Sequence, residues 1–86
     1  MTASYKIFVK PSVERELLRI PKQDLQRIDR RIRLLSTDPR PPGCEKLSGE
    51  SDYRVRQGDY RIVYRVNDDD GIVEIFKVGH RREVYR

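Results

Sequence analysis

The sequence predicts an α+β protein: an N-terminal strand, an αα-hairpin, then a three-stranded antiparallel meander. Together these form one four-stranded, mostly antiparallel sheet with both helices packed on one face. Three observations carry the prediction. Residues 53–66 alternate apolar and charged side chains with a period of two, as paired strands do. Residues 13–35 repeat apolar positions at helical spacing, interrupted at Pro21. A connector holding three of the five prolines separates the two patterns, so the helices precede the meander and pack onto it.

Tyr5 to Val9 is short, aromatic and β-branched, and Lys10-Pro11 stops it, which predicts the first strand. Ser12 reads as an N-cap with Glu14 in the first turn, and Val13, Leu17 and Ile20 recur on one helical face up to Pro21. Leu25, Ile28, Ile32 and Leu35 then mark a second amphipathic helix, with Lys22, Arg27, Arg30, Arg31 and Arg33 filling much of the remainder. So tight a link makes the two helices an αα-hairpin whose apolar stripes must both cover the sheet. Thr37 to Gly43 can continue neither a helix nor a ladder. Gln57-Gly58-Asp59 separates the halves of the alternating run at hairpin length, and Asn67 to Gly71 is a second turn. Ile72 to Val78 is the last strand, followed by a polar, basic tail from Gly79 to Arg86.

The chain has 86 residues, with 19 Lys+Arg against 14 Asp+Glu and a formal net charge of +5. It reads as one domain over residues 1–86, with no repeat or low-complexity segment. A chain this short buries only about 60 to 65% of the surface its unfolded form exposes, so any chemistry sits on an open or shallow surface. The single cysteine, Cys44, can form no internal disulfide, which points to a reducing compartment, the cytoplasm by default. No apolar run approaches the ~18 residues of a membrane span, and the N-terminus lacks the apolar core of a signal peptide.

Alternation sorts the run Tyr53 to Val66 into two faces. Arg54 and Arg56 oppose Tyr53 and Val55 on one strand; Arg61, Val63 and Arg65 oppose Tyr60, Ile62, Tyr64 and Val66 on the next. One face is core and the other is a row of guanidiniums suited to a polyanion. By phase, Tyr53, Tyr60 and Tyr64 belong to the core and not to base stacking. Lys46, Lys77, Arg82 and His80, Arg81 and Tyr85 lie on neighbouring strands or in the tail and can join the same surface. There is no Gly-rich phosphate loop and no metal-ligand spacing, so neither a metal nor a cofactor is called for. Charge pattern alone favours plain docking of nucleic acid or acidic peptide over catalysis. If the ligand is RNA, the arginines can grip the scissile phosphate and stabilise a pentavalent transition state, with the ribose 2′-hydroxyl as nucleophile.

These residues resemble a known family, the RelE branch of the RelE/ParE superfamily of toxins from bacterial type II toxin-antitoxin systems. The matching residues are Leu47-x-Gly49, Tyr53-Arg54-Val55-Arg56, Gly58-x-Tyr60-Arg61-Ile62-Val63-Tyr64, Val78-Gly79-His80-Arg81 and Glu83-Val84-Tyr85. The likeness covers nearly the whole chain and implies a RelE/ParE-like fold. It implies a ribosome-dependent endoribonuclease that cuts mRNA in the ribosomal A site and inhibits translation. It also implies a cognate antitoxin with an acidic or amphipathic segment, the ribosome and mRNA as partners, no membrane, and oligomers only through the antitoxin complex. Carried over by position, the catalytic set falls on Arg54, Arg56, Arg61, Arg81 and Tyr85, with His80 as a candidate proton carrier. Arg65, Lys77, Arg82 and Lys46 are expected to hold flanking RNA. Arg54 and Arg56 stand where the best-known member has lysines, and a guanidinium with a pKa above 12 is a poor base, so the base is unassigned. A ParE-type toxin that poisons DNA gyrase uses the same scaffold and is the alternative, as is an RNA-binding module without catalysis.

Overall fold

The computed structural model describes residues 4–48 and 51–80. The elements follow in the order β1 (Lys6–Val9), α1 (Pro11–Leu17), α2 (Lys22–Leu34), β2 (Glu45–Lys46), β3 (Asp52–Gln57), β4 (Tyr60–Asn67) and β5 (Ile72–His80). Pro11 occupies the first helical turn of α1, where its missing N–H costs nothing. Ser12 therefore lies inside the helix, and Lys10 takes the cap position with no side-chain bond. The helix ends at Leu17, and residues 18–20 turn the chain into α2, which Pro21 precedes.

The strands form a mixed five-stranded sheet in the order β1-β5-β4-β3-β2. β1 runs parallel to β5, and every other neighbouring pair is antiparallel. The expected α+β class holds, but the sheet has five strands where the sequence predicts four. The extra strand is β2, whose two residues close the edge against β3 with Glu45 opposite Arg54 and Lys46 opposite Tyr53. Two residues after a Pro/Gly-rich connector are too few to show a period. Between β3 and β4 only Gly58 and Asp59 intervene, and Gly58 at φ 60° supplies the left-handed first position that such a tight hairpin needs.

Both helices cover one face of the sheet. Val13 from α1 and Ile28, Ile32 and Leu35 from α2 and its end meet Tyr53, Val55, Ile62, Tyr64, Val66, Val73, Ile75 and Val78 in one buried cluster. Burying a side chain of this kind contributes about 1.5–3 kcal/mol, so this layer is what holds the helices down. Tyr64 is wholly buried and its hydroxyl donates to the Pro39 carbonyl at 2.7 Å, anchoring the connector to the sheet. Burial lifts the Tyr64 phenol well above its ordinary range.

A polar network locks the connector to the β4–β5 turn. Arg40 donates to both carboxylate oxygens of Asp68, at 3.2 and 2.8 Å, and its Nε donates to the Tyr53 hydroxyl at 2.9 Å. The Arg40 guanidinium also lies over the Tyr53 ring, 5.2 Å from its centre. Tyr5 donates its hydroxyl to the same Asp68 at 2.6 Å, tying the start of β1 into the network. The hydrogen bond from Arg40, and then that from Tyr5, hold the Asp68 carboxyl below its usual range.

Candidate functional site

The face of the sheet turned away from the helices carries the arginines. Cross-strand register puts Asp52 opposite Arg65, Arg54 opposite Val63 and Arg56 opposite Arg61, while the alternate pairs Tyr53–Tyr64 and Val55–Ile62 enter the core. The period-two reading of residues 53–66 thus holds on both strands, and the Tyr53 and Tyr64 rings stack in the core, 5.9 Å apart. Arg56 is about half exposed, whereas Arg61, on the more central strand, is only 5% exposed. Opposite Arg61 on β5 stands Gly79, which has no side chain to compete for the space above the sheet. Arg61 is therefore held in place from its surroundings, and Arg56 projects beside it.

Carboxylates are set among these cations, and the sequence reading missed them. Glu45 Oε1 lies 3.1 Å from Arg54 Nη2, 3.3 Å from Arg54 Nε and 3.5 Å from Arg56 Nε. On the same face Asp52 accepts a 2.8 Å bond from Arg65 Nε. The signal for Glu45 was absent because its position depends on β2. Asp52 sits in phase with Arg54 and Arg56, two and four residues earlier on β3, and that phase was readable. Arg65 further stacks its guanidinium 5.5 Å from the centre of Phe76. Phe76 is the extra residue of a bulge, since Val63 pairs with Lys77 and Tyr64 with Ile75.

Two expected members of the cationic surface are placed on the other side of the sheet, and a third is paired with a helix. Lys46 is in phase with Tyr53, on the other side of β2 from Glu45. Lys77 stands opposite Val63, in phase with Arg61 and Arg65, and its ammonium is paired with Glu16 of α1 at 2.8 Å. His80 pairs with Tyr60, and their rings meet edge to face at 5.8 Å. Tyr60 packs against the core, and a small pocket beside it is lined by Glu16, Arg19 and Ile20 together with His80. The imidazole thus lies on the helix side of the sheet, because two-residue alternation separates it from Arg61. Arg81, Arg82 and Tyr85 fall outside the described residues, as does Gly49.

What the described residues bring together is Arg54, Arg56, Arg61 and Arg65 with Glu45 and Asp52. Such a set can bind a phosphodiester by charge-assisted, bidentate hydrogen bonds and stabilise added negative charge on it. Among the described residues no group of three or more His, Cys, Asp or Glu side chains is arranged to hold a metal. No described helix is long and apolar enough to cross a membrane.

Residues 7–85 match the model of a family described as the ParE toxin of type II toxin-antitoxin systems, parDE. The assigned toxin RelE1 of Methanocaldococcus jannaschii is 30% identical over 86 aligned residues, covering 95% of this chain and 96% of that protein. Among solved structures, the RelE–RelB complex of Pyrococcus horikoshii OT3 is similar with a TM-score of 0.83 at 31% identity, covering 91% of this chain and 96% of that one. The RelBE2 toxin-antitoxin complex of Mycobacterium tuberculosis is similar with a TM-score of 0.81 at 26% identity, covering 94% and 95%.

Proposed function

The chain belongs to the ParE toxin family of type II toxin-antitoxin systems, within the RelE/ParE superfamily, and on that premise we propose that it is an endoribonuclease that cuts mRNA on the ribosome. The observation that carries this reading is the direct opposition of Arg56 and Arg61 on the helix-free face, with Arg54 beside them. Guanidiniums gathered side by side on an open face suit a ligand that carries several negatively charged oxygens. A phosphodiester is such a ligand. Arg61 and Arg56 hold the non-bridging oxygens of the scissile phosphate and stabilise the charge that grows as the phosphorane forms. Arg54 and Arg65 hold neighbouring backbone. Arg81 and Tyr85, matched by position to the RelE pattern, are assigned to the leaving 5′-oxygen and to substrate positioning.

The nucleophile is the 2′-hydroxyl of the nucleotide preceding the cut. Its oxygen bonds to phosphorus as the bond to O5′ breaks, leaving a 2′,3′-cyclic phosphate and a 5′-hydroxyl. The enclosure that a small open sheet lacks is supplied by the ribosome, which holds the mRNA. RelE proteins of P. horikoshii and M. tuberculosis are solved in complexes with their antitoxins. We extend this to a cognate antitoxin here, whose acidic or amphipathic segment covers the arginine face of a chain of net charge +5.

A second reading, poisoning of DNA gyrase, is kept because the matching family model is that of the ParE toxin. Translation reactions and gyrase reactions run side by side with the purified toxin separate the two. Cleaved mRNA on ribosomes with no trapped gyrase–DNA complex supports the first; the reverse result replaces it with the second.

A further inference from the structure

The sheet face that carries the arginine row continues past Arg65 onto β5 and β1, where its character changes. Register sets Arg65, Glu74 and Phe8 side by side on three neighbouring strands, with Asn67, Ile72 and Lys6 as the next row. These six line a shallow cleft. The core does not claim Phe8, which is 53% exposed while Ile7 and Val9 on either side of it pack inward. Across the cleft the Arg65 guanidinium is held in place and still reached by solvent: Asp52 accepts from its Nε at 2.8 Å, the Phe76 ring centre lies 5.5 Å away, and the side chain is 55% exposed. Asp52 and Glu74 set against Arg65 and Lys6 leave this end of the face close to neutral. What it offers beyond the Arg65 charge is flat, apolar surface.

Spacing limits what can enter. Phe8 and Arg65 stand two strand spacings apart, ~9.5 Å at the backbone. One flat ring in contact with a partner on each side needs ~7–8 Å, so the gap accepts one planar ring and no second. Exposed aromatic rings and guanidinium planes on a sheet suit unpaired nucleobases, whose stacking tolerates any base. Arg65 also lies four residues along β4 from Arg61, ~13 Å away on the same face. A base seated there belongs to a nucleotide near the cut and not to the one being cut.

We propose that the cleft between Phe8 and Arg65 seats one unpaired base of the RNA flanking the cut, stacked between the Phe8 ring and the Arg65 guanidinium. This rests on the reading of the chain as a ribonuclease and extends its site from phosphate binding to base holding. Glu74 stands between the two on β5, where its carboxylate accepts an N–H from the edge of the base. Every base carries such a group, so the seat holds the strand without reading its sequence. Asp52 and Phe76 are positioning residues: they fix the guanidinium before RNA arrives, so less side-chain freedom is lost on binding. A strand gripped by its phosphate at Arg56 and Arg61 and by a base at Phe8 has its direction across the sheet set as well as its position.

The test measures single-turnover cleavage of mRNA on programmed ribosomes by the full-length toxin and its Phe8→Ala, Phe8→Leu, Phe8→Tyr and Arg56→Ala forms. The mRNAs carry one abasic nucleotide at each flanking position in turn. Phe8→Ala and Phe8→Leu should each raise the toxin concentration for half-saturation about tenfold, within the range of one lost stacked base, while the saturating rate changes less than about threefold. Phe8→Tyr keeps the ring and should match the parent. An abasic nucleotide at one flanking position should weaken the parent by a similar factor and should not weaken Phe8→Ala further, a coupling that a change in folding alone does not produce. Parental half-saturation by Phe8→Ala or Phe8→Leu overturns the proposal, as does an abasic penalty that persists in Phe8→Ala at every position. Unimpaired RNA cleavage by Phe8→Ala with weakened antitoxin binding overturns it too and assigns the cleft to the antitoxin. If Arg56→Ala cleaves at the parental rate, the ribonuclease reading itself fails; if Arg56→Ala is impaired while Phe8→Ala is not, only the base seat fails.

Discussion

Arg56 and Arg61 face each other across the β3–β4 hairpin as a directly opposed pair of like charges, one half exposed and the other almost completely buried. Arg56 also contacts Glu45, and the two guanidiniums side by side suit the oxygens of a phosphate. Replacing the half-exposed Arg56 with Gln opens no cavity and gives up only a surface ion pair with Glu45, so thermal unfolding should stay nearly unchanged. Cleavage should fall by about 100-fold or more, the usual loss when one charge-stabilising donor is removed. Melting curves and ribosomal cleavage assays on the same preparation check both halves.

His80 packs on Tyr60 on the helix side. Substitution by Gln should therefore leave the cleavage rate within about threefold of the parent, where a proton-transfer group would lose 10²–10⁴-fold. A time course with labelled mRNA decides it.

Tyr64 carries the connector through its bond to the Pro39 carbonyl. Tyr64→Phe keeps the ring and strands that carbonyl, which should cost about 1–2 kcal/mol in urea unfolding. Catalytic rate at saturation should not change, because the hydroxyl lies in the core.

Acid should loosen the lock made by Asp68 with Arg40 and Tyr5. The folded-state pKa of Asp68 is depressed, so its contribution is fully present above the ordinary value of 3.8 and is lost as pH falls through the lowered one. Asp68→Asn should be less stable than the parent at neutral pH and should show a shallower loss on acidification. Melting temperatures from neutral pH to below pH 3.8 test the sign, and parallel curves contradict it.

Much of this was legible in the residues, for identifiable reasons. Strong alternation between Tyr53 and Val66 fixed strand, face and hairpin together, since a one-residue slip would bury Arg54 and expose Val55. Pro21 and the spacing of Ile28 and Ile32 did the same for the second helix. β2 was hidden because two residues carry no period, and with it went Glu45, whose place beside Arg54 exists only through strand pairing. The placing of His80 on the helix side and the pairing of Lys77 with Glu16 are not legible in the residues, because a bulge at Phe76 shifts the phase after it and α1 comes within reach only in the fold. Asp52 was readable by phase and was overlooked in favour of the arginines it accompanies.

The central claim is that this toxin cuts RNA through its arginine face, and end chemistry on ribosome-bound mRNA tests it most directly. Purified toxin should yield fragments with a 2′,3′-cyclic phosphate upstream and a 5′-hydroxyl downstream, and a 2′-deoxy substitution at the cut site should abolish cleavage, as should Arg61→Ala. Intact mRNA under conditions where the toxin stops growth, or cleavage that survives the 2′-deoxy substitution, would contradict it.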